Sequence, residues 1–470
     1  MSFAGATQKL SEHTAAKNCA AYKRLEQLFD EGSLRELDPF VKNENQTAEV
    51  FTAYGTVDGC PAYAFSQNTE IFSGAMGKVQ AAKIRRVYEL AEKTGVPVVG
   101  IYDSKGAHLN EGADAMGAFG ELIRLSNNLS GVVPQISLVL GTCAGSSAIL
   151  ATSADFVIVS GKSELFLNSP FVLGDKSGKS GSPETVYVNG IAQLYQKDEA
   201  QAITKARTLI TLLPQNNLAQ APLMEQIAPA GDAAALNAKT PALDTVIDAI
   251  ADADSKLTLS KAYAPCVQTL LARIGGASCG IVATNPAADS GRLNSDGCVK
   301  IARFVRMCDA FSIPVITLID SVGFAASSEA EISGNVRDAA LLAHAYAEAT
   351  TVKISLITGA AYGSVYILLA GRASASDAVL AWPQAVISAL NPEASAAILM
   401  HGRLKSGETQ DKLTQEYIDT QASAFAVAAM GYIDDVIEPA ATRDKIYAAL
   451  DMLAGKRVST MSKKHSNMPL

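Results

Sequence analysis

Two glycine-rich turns hold the residues best suited to chemistry. The first, Gly141-Thr142-Cys143-Ala144-Gly145-Ser146, joins an apolar strand-like run to an Ala-rich helix start, and Gly359 to Ser364 repeats it. At such a turn the first N–H groups of the helix lack intrahelical acceptors and lie at the positive end of its dipole. They can bind a phosphate or stabilise an oxyanion developing on a carbonyl. Neither turn reads Gly-x4-Gly-Lys-Ser/Thr, so a Walker-type loop is excluded, and no Gly-x-Gly-x-x-Gly fingerprint follows a strand. A single such turn is compatible with a structural role. Its recurrence favours the oxyanion role.

Side-chain acids, bases and ligands are scarce. The five histidines (His13, His108, His344, His401, His465) form no HExxH spacing and no Ser/His/Asp series. His344 lies in a helical run and His401 precedes Gly402, so both read as packing residues. His108 directly follows Asp103-Ser104-Lys105-Gly106-Ala107 after a strand and is a candidate substrate contact. Ser146 and Ser364 follow a glycine but neither sits in a GxSxG elbow. The seven cysteines contain no CxxC pair, so a zinc ribbon is not expected and no metal is assigned.

The elements that position these turns occur twice. KIRRVYELAEKTGVPVVGIYDS opens at Lys83, and KIARFVRMCDAFSIPVITLIDS opens at Lys300. ISLVLGTCAGSSAIL opens at Ile136 and is matched by ISLITGAAYGSVYIL from Ile354, at almost the same offset. Each copy reads as an amphipathic helix, a buried strand, a second helix, a strand, the glycine turn and a further strand. That alternation predicts a parallel α/β arrangement. Between the copies, Pro214 to Ala253 is rich in Ala, Pro, Asn and Gln and reads as a surface linker with a short helix.

Composition bounds the rest. The chain has 470 residues, 48% of them hydrophobic and 18% charged, which excludes disorder. Its net charge of -8 and lack of any basic block longer than Lys463-Lys464 argue against nucleic-acid binding. The N-terminus MSFAGATQKLSEH has no apolar signal region, and no run of about 18 apolar residues occurs, so a cytoplasmic protein is expected.

Ordered motifs add a family resemblance. RLEQLFDEGSLRELD from Arg24, YGTVDGCPAYAFSQN from Tyr54, FSGAMGKVQAAKI from Phe72, DSKGAHLNEG from Asp103 and GTCAGSSA from Gly141 begin the series. CVKIARFVRMCDAFSIPVITLIDSVGF from Cys298, HAYAEATTVKISLIT from His344, AYGSVY, AWP and KKHSNMPL continue it. Together they resemble the carboxyltransferase subunits of biotin-dependent acyl-CoA carboxylases, and the α subunits of related decarboxylases. The resemblance implies an α/β fold of two tandem crotonase (ClpP-like) ββα-superhelix domains. Residues 1–225 would form the acyl-CoA side and residues 226–470 the biotin side. It implies dimers assembling to hexamers, with the amides of Gly145 and Ser146 holding a thioester enolate. The amides at Ser364 and Val365 would hold the biotin ureido oxygen. Gly74, Ala75, Gly106, Ala107, His108, Tyr366 and Ile367 would contact substrate. No biotin attachment sequence such as AMKM occurs, so biotin is expected on a separate carrier protein. The further partner would be a biotin carboxylase or a membrane decarboxylase pump subunit.

Several positions differ from the family pattern. Ser146 and Ser364 replace glycines, His108 replaces an arginine, Lys105 a glycine, Ile367 an aspartate and Val322 a proline. Two other readings fit the same residues. One is an inactive assembly or regulatory paralogue of such a subunit. The other is a tandem serine peptidase of ClpP-like architecture using Ser146 or Ser364 with a lysine.

Overall fold

The computed structural model describes residues 3–43 and 46–469. It divides into two compact units, one ending at Pro222 and the other beginning at Leu223. In the first unit, β1 (Arg35–Leu37), β2 (Val50–Val57) and β3 (Cys60–Gln67) pair antiparallel. β4 (Val98–Ser104), β5 (Gln135–Ala144), β6 (Phe156–Ser160) and β8 (Leu194–Gln196) extend the sheet in parallel. β7 (Glu164–Phe166) pairs with the last residues of β5. Among its helices are α1 (Ala20–Leu28), α2 (Lys78–Thr94), α3 (Ala113–Leu129), α4 (Ser146–Thr152) and α5 (Glu199–Leu212).

The second unit repeats that order. β9 (Leu257–Leu259), β10 (Val267–Ile274) and β11 (Ala277–Thr284) are antiparallel. β12 (Val315–Ser321), β13 (Lys353–Tyr362), β14 (Ala378–Ala381) and β16 (Asp435–Val436) follow in parallel, and β15 (Val386–Ser388) pairs with the end of β13. Among its helices are α6 (Leu243–Ile250), α7 (Ser295–Ala310), α8 (Asn335–Glu348), α9 (Ser364–Leu369) and α10 (Thr442–Leu453). Parallel strands covered on both faces need apolar side chains throughout, and Val98 to Tyr102 and Val315 to Ile319 are buried accordingly. On α2, Ile84, Val87 and Ala91 turn their helical stripe into the core. Among the described residues no helix is long and apolar enough to cross a membrane.

The stretch expected to be a surface linker is only partly one. Within it, α6 buries Val246, Ile247, Ala249 and Ile250. It packs in the second unit's core beside Leu270, Leu318 and Trp382. The short helix expected there is present, but it is a core element and not a surface one.

Each hairpin is pinned by an aspartate and an arginine. Asp30 accepts from the N–H groups of Asp58 (2.9 Å) and Gly59 (3.0 Å), and Arg207 donates to Asp30 and to the Leu28 carbonyl. Asp252 accepts from Gly275 (3.0 Å) and Gly276 (2.7 Å), and Arg443 donates to Asp252 and the Ile250 carbonyl. Partial burial opposes ionisation of Asp30, but the Gly59 amide, Arg207 and the Asp58 amide outweigh it and hold its carboxyl well below the usual range. A depressed folded-state pKa stabilises above the unfolded value of about 3.9 and is lost as pH falls below it. The stability difference between the wild type and Arg207→Ala, from urea unfolding, is therefore expected to be full at pH 7 and to shrink below pH about 4. An equal difference at both pH values would remove the Asp30 linkage.

Lys300, which marks the second repeat, is a structural cation. Its ammonium donates to the carbonyls of Ser260, Tyr263 and Val267, and burial brings its pKa down to about 8.

Candidate active site

Both glycine turns rise from the same irregularity in the sheet. β4 and β5 pair at Tyr102 with Val139 and next at Ser104 with Cys143, so β5 carries extra residues there. β12 and β13 do the same between the pairs Ile319 with Ile357 and Ser321 with Ala361. The bulges bring Gly141 and Gly359 against an aspartate from the neighbouring strand. A Cβ on Gly141 would stand 2.1 Å from Asp103 Oδ1, and one on Gly359 would stand 2.4 Å from Asp320 Oδ1. Asp320 Oδ1 also accepts the Ala360 N–H at 2.8 Å. Asp103 accepts instead from Arg24 Nη1 at 3.0 Å.

Beyond the bulge, Gly145 has φ 60°, ψ -127° and Gly363 has φ 60°, ψ -136°. Side-chain-bearing residues avoid that region, which explains glycine at both turns. Their own N–H groups are engaged, Gly145 with the Phe166 carbonyl (2.9 Å) and Gly363 with that of Ser388 (2.8 Å). The expectation that the Gly145 amide holds an enolate is therefore corrected. Gly145 shapes the turn, and Ser146 presents the N–H. Ser146 opens α4, and Ser364 and Val365 open α9, where first-turn N–H groups have no helical acceptor. The Val365 side chain is buried, and that of Ser364 is exposed.

A second donor stands beside each turn. Met76 N–H donates to the Gly106 carbonyl and His108 N–H to the Met76 carbonyl, which leaves the Ala107 N–H outside that ladder. In the second unit, Leu293 donates to Gly323 and Ala325 donates to Leu293, leaving the Phe324 N–H in the same position. A Cβ on Gly106 would lie 3.6 Å from the Ala144 carbonyl, and one on Gly323 4.0 Å from that of Tyr362, so each loop abuts its turn. Each unit thus brings a loop and a turn together, each with an N–H that donates to no backbone carbonyl among the described residues: Ala107 with Ser146, and Phe324 with Ser364. Sequence reasoning missed Phe324, although Gly323-Phe324 follows Gly106-Ala107 at the offset that separates Lys300 from Lys83.

The other candidate residues divide between support and access. Gly74 (φ 68°) lies so close to Asp103 that a Cβ would stand 2.3 Å from its carbonyl, and Gln80 Nε2 ties down the carbonyls of Gly74 and Ala75. These two residues buttress the loop carrying Ala107. His108 packs edge-on against Phe72 at 4.8 Å, with a buried Nδ1 that takes no partner. Tyr366 gives its hydroxyl to the Tyr432 carbonyl (3.1 Å), and burial raises its pKa. Ile367 is exposed at 53%. Neither Ser146 nor Ser364 has its hydroxyl bonded to a lysine or histidine among the described residues, so nothing activates either as a peptidase nucleophile. No cluster of three or more His, Cys, Asp or Glu side chains that could hold a metal ion occurs among the described residues.

A duplicated α/β unit with a glycine turn at each strand-to-helix junction defines a crotonase-like fold. The carboxyl transferase domain model matches residues 11–468, and the chain belongs to that family. It is 35% identical to the methylmalonyl-CoA decarboxylase subunit alpha of Propionigenium modestum, over 99% of this chain and 96% of that one. It is 37% identical to the propionyl-CoA carboxylase beta chain of Saccharopolyspora erythraea, over 99% and 93%. Among solved structures, the transcarboxylase 12S hexamer with methylmalonyl-coenzyme A and methylmalonic acid bound superposes with a TM-score of 0.93 at 31% identity. That match covers 100% of this chain and 99% of the other.

Proposed function

We propose that this chain moves a carboxyl group between biotin on a separate carrier protein and the α-carbon of a short acyl-CoA. Propionyl-CoA/methylmalonyl-CoA and acetyl-CoA are the substrates in view. The observation that carries this reading is the doubled set of N–H groups without a backbone acceptor among the described residues, Ala107 with Ser146 and Phe324 with Ser364. The first pair would bind the thioester oxygen and stabilise it as negative charge builds there. The second pair suits a single carbonyl-type acceptor such as the ureido oxygen of biotin. Biotin, when present, carries the carboxyl group and supplies the base. The chain's own part is to hold the two oxygens and keep the reacting atoms aligned.

The names of several relatives support the substrate class. The Propionigenium and Saccharopolyspora relatives are named for methylmalonyl-CoA and propionyl-CoA. A 35% identical relative of Mycobacterium tuberculosis is called biotin-dependent. The further partner would be a biotin carboxylase or a membrane decarboxylase pump subunit. Self-association to dimers and hexamers fits the exposed apolar side chains of Phe171 (92%), Val172 (76%) and Leu173 (57%), which a lone unit would leave in water. The inactive-paralogue reading draws no support, because both turns keep their glycine and their free donors.

The test is transfer of labelled carboxyl from methylmalonyl-CoA to free biotin or to a biotinylated carrier by the purified chain. Label appearing on biotin is the expected result, and its absence with methylmalonyl-CoA and malonyl-CoA as donors alike would overturn the reading. Because the backbone does the work, Ser146→Ala and Ser364→Ala are expected to keep turnover within about threefold. A loss of about a hundredfold in either would move the role to the hydroxyl.

A further inference from the structure

We infer that the C-terminal unit carries a binding site for a small guanidino acid, a molecule with a guanidinium head and a carboxylate tail, in the cavity beside Asp320. The inference comes from comparing the two copies. In the first unit the equivalent acid, Asp103, faces a buried guanidinium. Arg24 on α1 donates from Nη1 to Asp103 Oδ2 (3.0 Å) and from Nε and Nη2 to Glu199 (2.8 and 2.9 Å). The hairpin pins fix the local register between the copies. Asp30 matches Asp252, and the Leu28 carbonyl held by Arg207 matches the Ile250 carbonyl held by Arg443. The same register places Val246 where the first unit has Arg24.

Valine is too short to reach the acid. The space it leaves is a cavity of about 300 Å³ lined by Val246, Leu243, Asp320, Tyr362, Trp382 and Lys239, among others. This size lies at the lower end of small-ligand sites. Asp320 commits one oxygen to the Ala360 amide and makes no ion pair among the described residues, so its other oxygen is available to a donor. Tyr362, which is partly exposed, offers aromatic surface to a planar cation. Lys239 is exposed and makes no ion pair among the described residues, so it is placed to take an anionic tail. A guanidinium on Asp320 with a carboxylate toward Lys239 satisfies both charges. The cavity adjoins the bulge that leads into the second turn, and its test reads binding of a small molecule, so its failure is distinguishable from failure of the carboxyl-transfer reading.

L-arginine is the probe, titrated into the full chain by calorimetry and followed by ligand-observed NMR. Saturable binding with a Kd on the order of 1 mM or tighter is expected. Val246→Arg, which supplies the chain's own guanidinium to Asp320, and Asp320→Asn are each expected to weaken it at least about tenfold. Lys239→Ala, a surface change that leaves the fold intact, is expected to weaken arginine and leave agmatine, which lacks the carboxylate, unaffected. Absence of saturable binding to the wild type, undiminished affinity in folded Val246→Arg, or agmatine binding as tightly as arginine would each overturn the assignment.

Discussion

Gly145→Val is expected to lower carboxyl transfer about 10²–10³-fold while leaving the chain folded. Space is not the issue, since a Cβ at Gly145 would meet nothing within 4 Å. The penalty lies in the backbone. At φ 60°, ψ -127° a β-branched residue is strained, and the turn relaxes by rotating the following peptide. That peptide carries the Ser146 N–H, and an oxyanion donor turned away from its acceptor forfeits most of its contribution. Gly363→Val acts in the same way on Ser364 in the other unit, where φ is 60° and ψ -136°. The measurement is the rate of labelled carboxyl transfer from methylmalonyl-CoA to biotin, with circular dichroism as the check on folding. Wild-type turnover in folded Gly145→Val would remove the first turn from the chemistry. The Gly145→Ala variant, with less crowding but the same φ, is expected to fall between the two.

The largest stability effect is expected at Arg24. Replacing it by methionine keeps the aliphatic bulk and removes three hydrogen bonds to two carboxylates. Arg24 is 7% exposed, and Asp103 is left beside the Gly141 bulge with its positive partner gone. Breaking a buried pair from one side costs about 3–5 kcal/mol. Glu199, whose side chain is 36% exposed, can turn to water, so the lower part of that range applies. Urea unfolding of the full chain is expected to show the first unit melting earlier with the second unmoved. A midpoint unchanged from wild type would show that the ionic cluster contributes nothing net. Because Asp103 sits against the bulge that leads into the Gly145 turn, the same variant is expected to lose activity before it loses structure.

Much of this was legible without coordinates. The paired openings at Lys83 and Lys300, and at Ile136 and Ile354, located both units, and the shared strand order follows from them. The strand runs VPVVGIYD and IPVITLID became β4 and β12, and the fold implied by the family resemblance matches the transcarboxylase 12S structure. A short helix between the copies was expected, but the burial of Leu243–Ile250 was not, because so short a segment inside an Ala/Pro-rich stretch gives too little periodic signal to reveal its apolar face. Assigning the enolate to the Gly145 amide failed for a different reason. Its acceptor, the Phe166 carbonyl, comes from β7, beyond α4 and β6 in the chain, and nothing local predicts that pairing.

The amino-acid sequence by itself determined the duplication, the glycines that must adopt positive φ, and the absence of a side-chain acid/base set at the turns. Those are local properties of residue type and spacing. Only the tertiary structure decided which N–H groups remain free, because a backbone donor is spent or spared by whichever distant carbonyl folds against it. It likewise decided that one copy fills the space beside its strand-end aspartate with Arg24 and the other leaves a cavity at Val246. The two residues share a helix position, and only packing against Asp103 or Asp320 gives the difference a consequence.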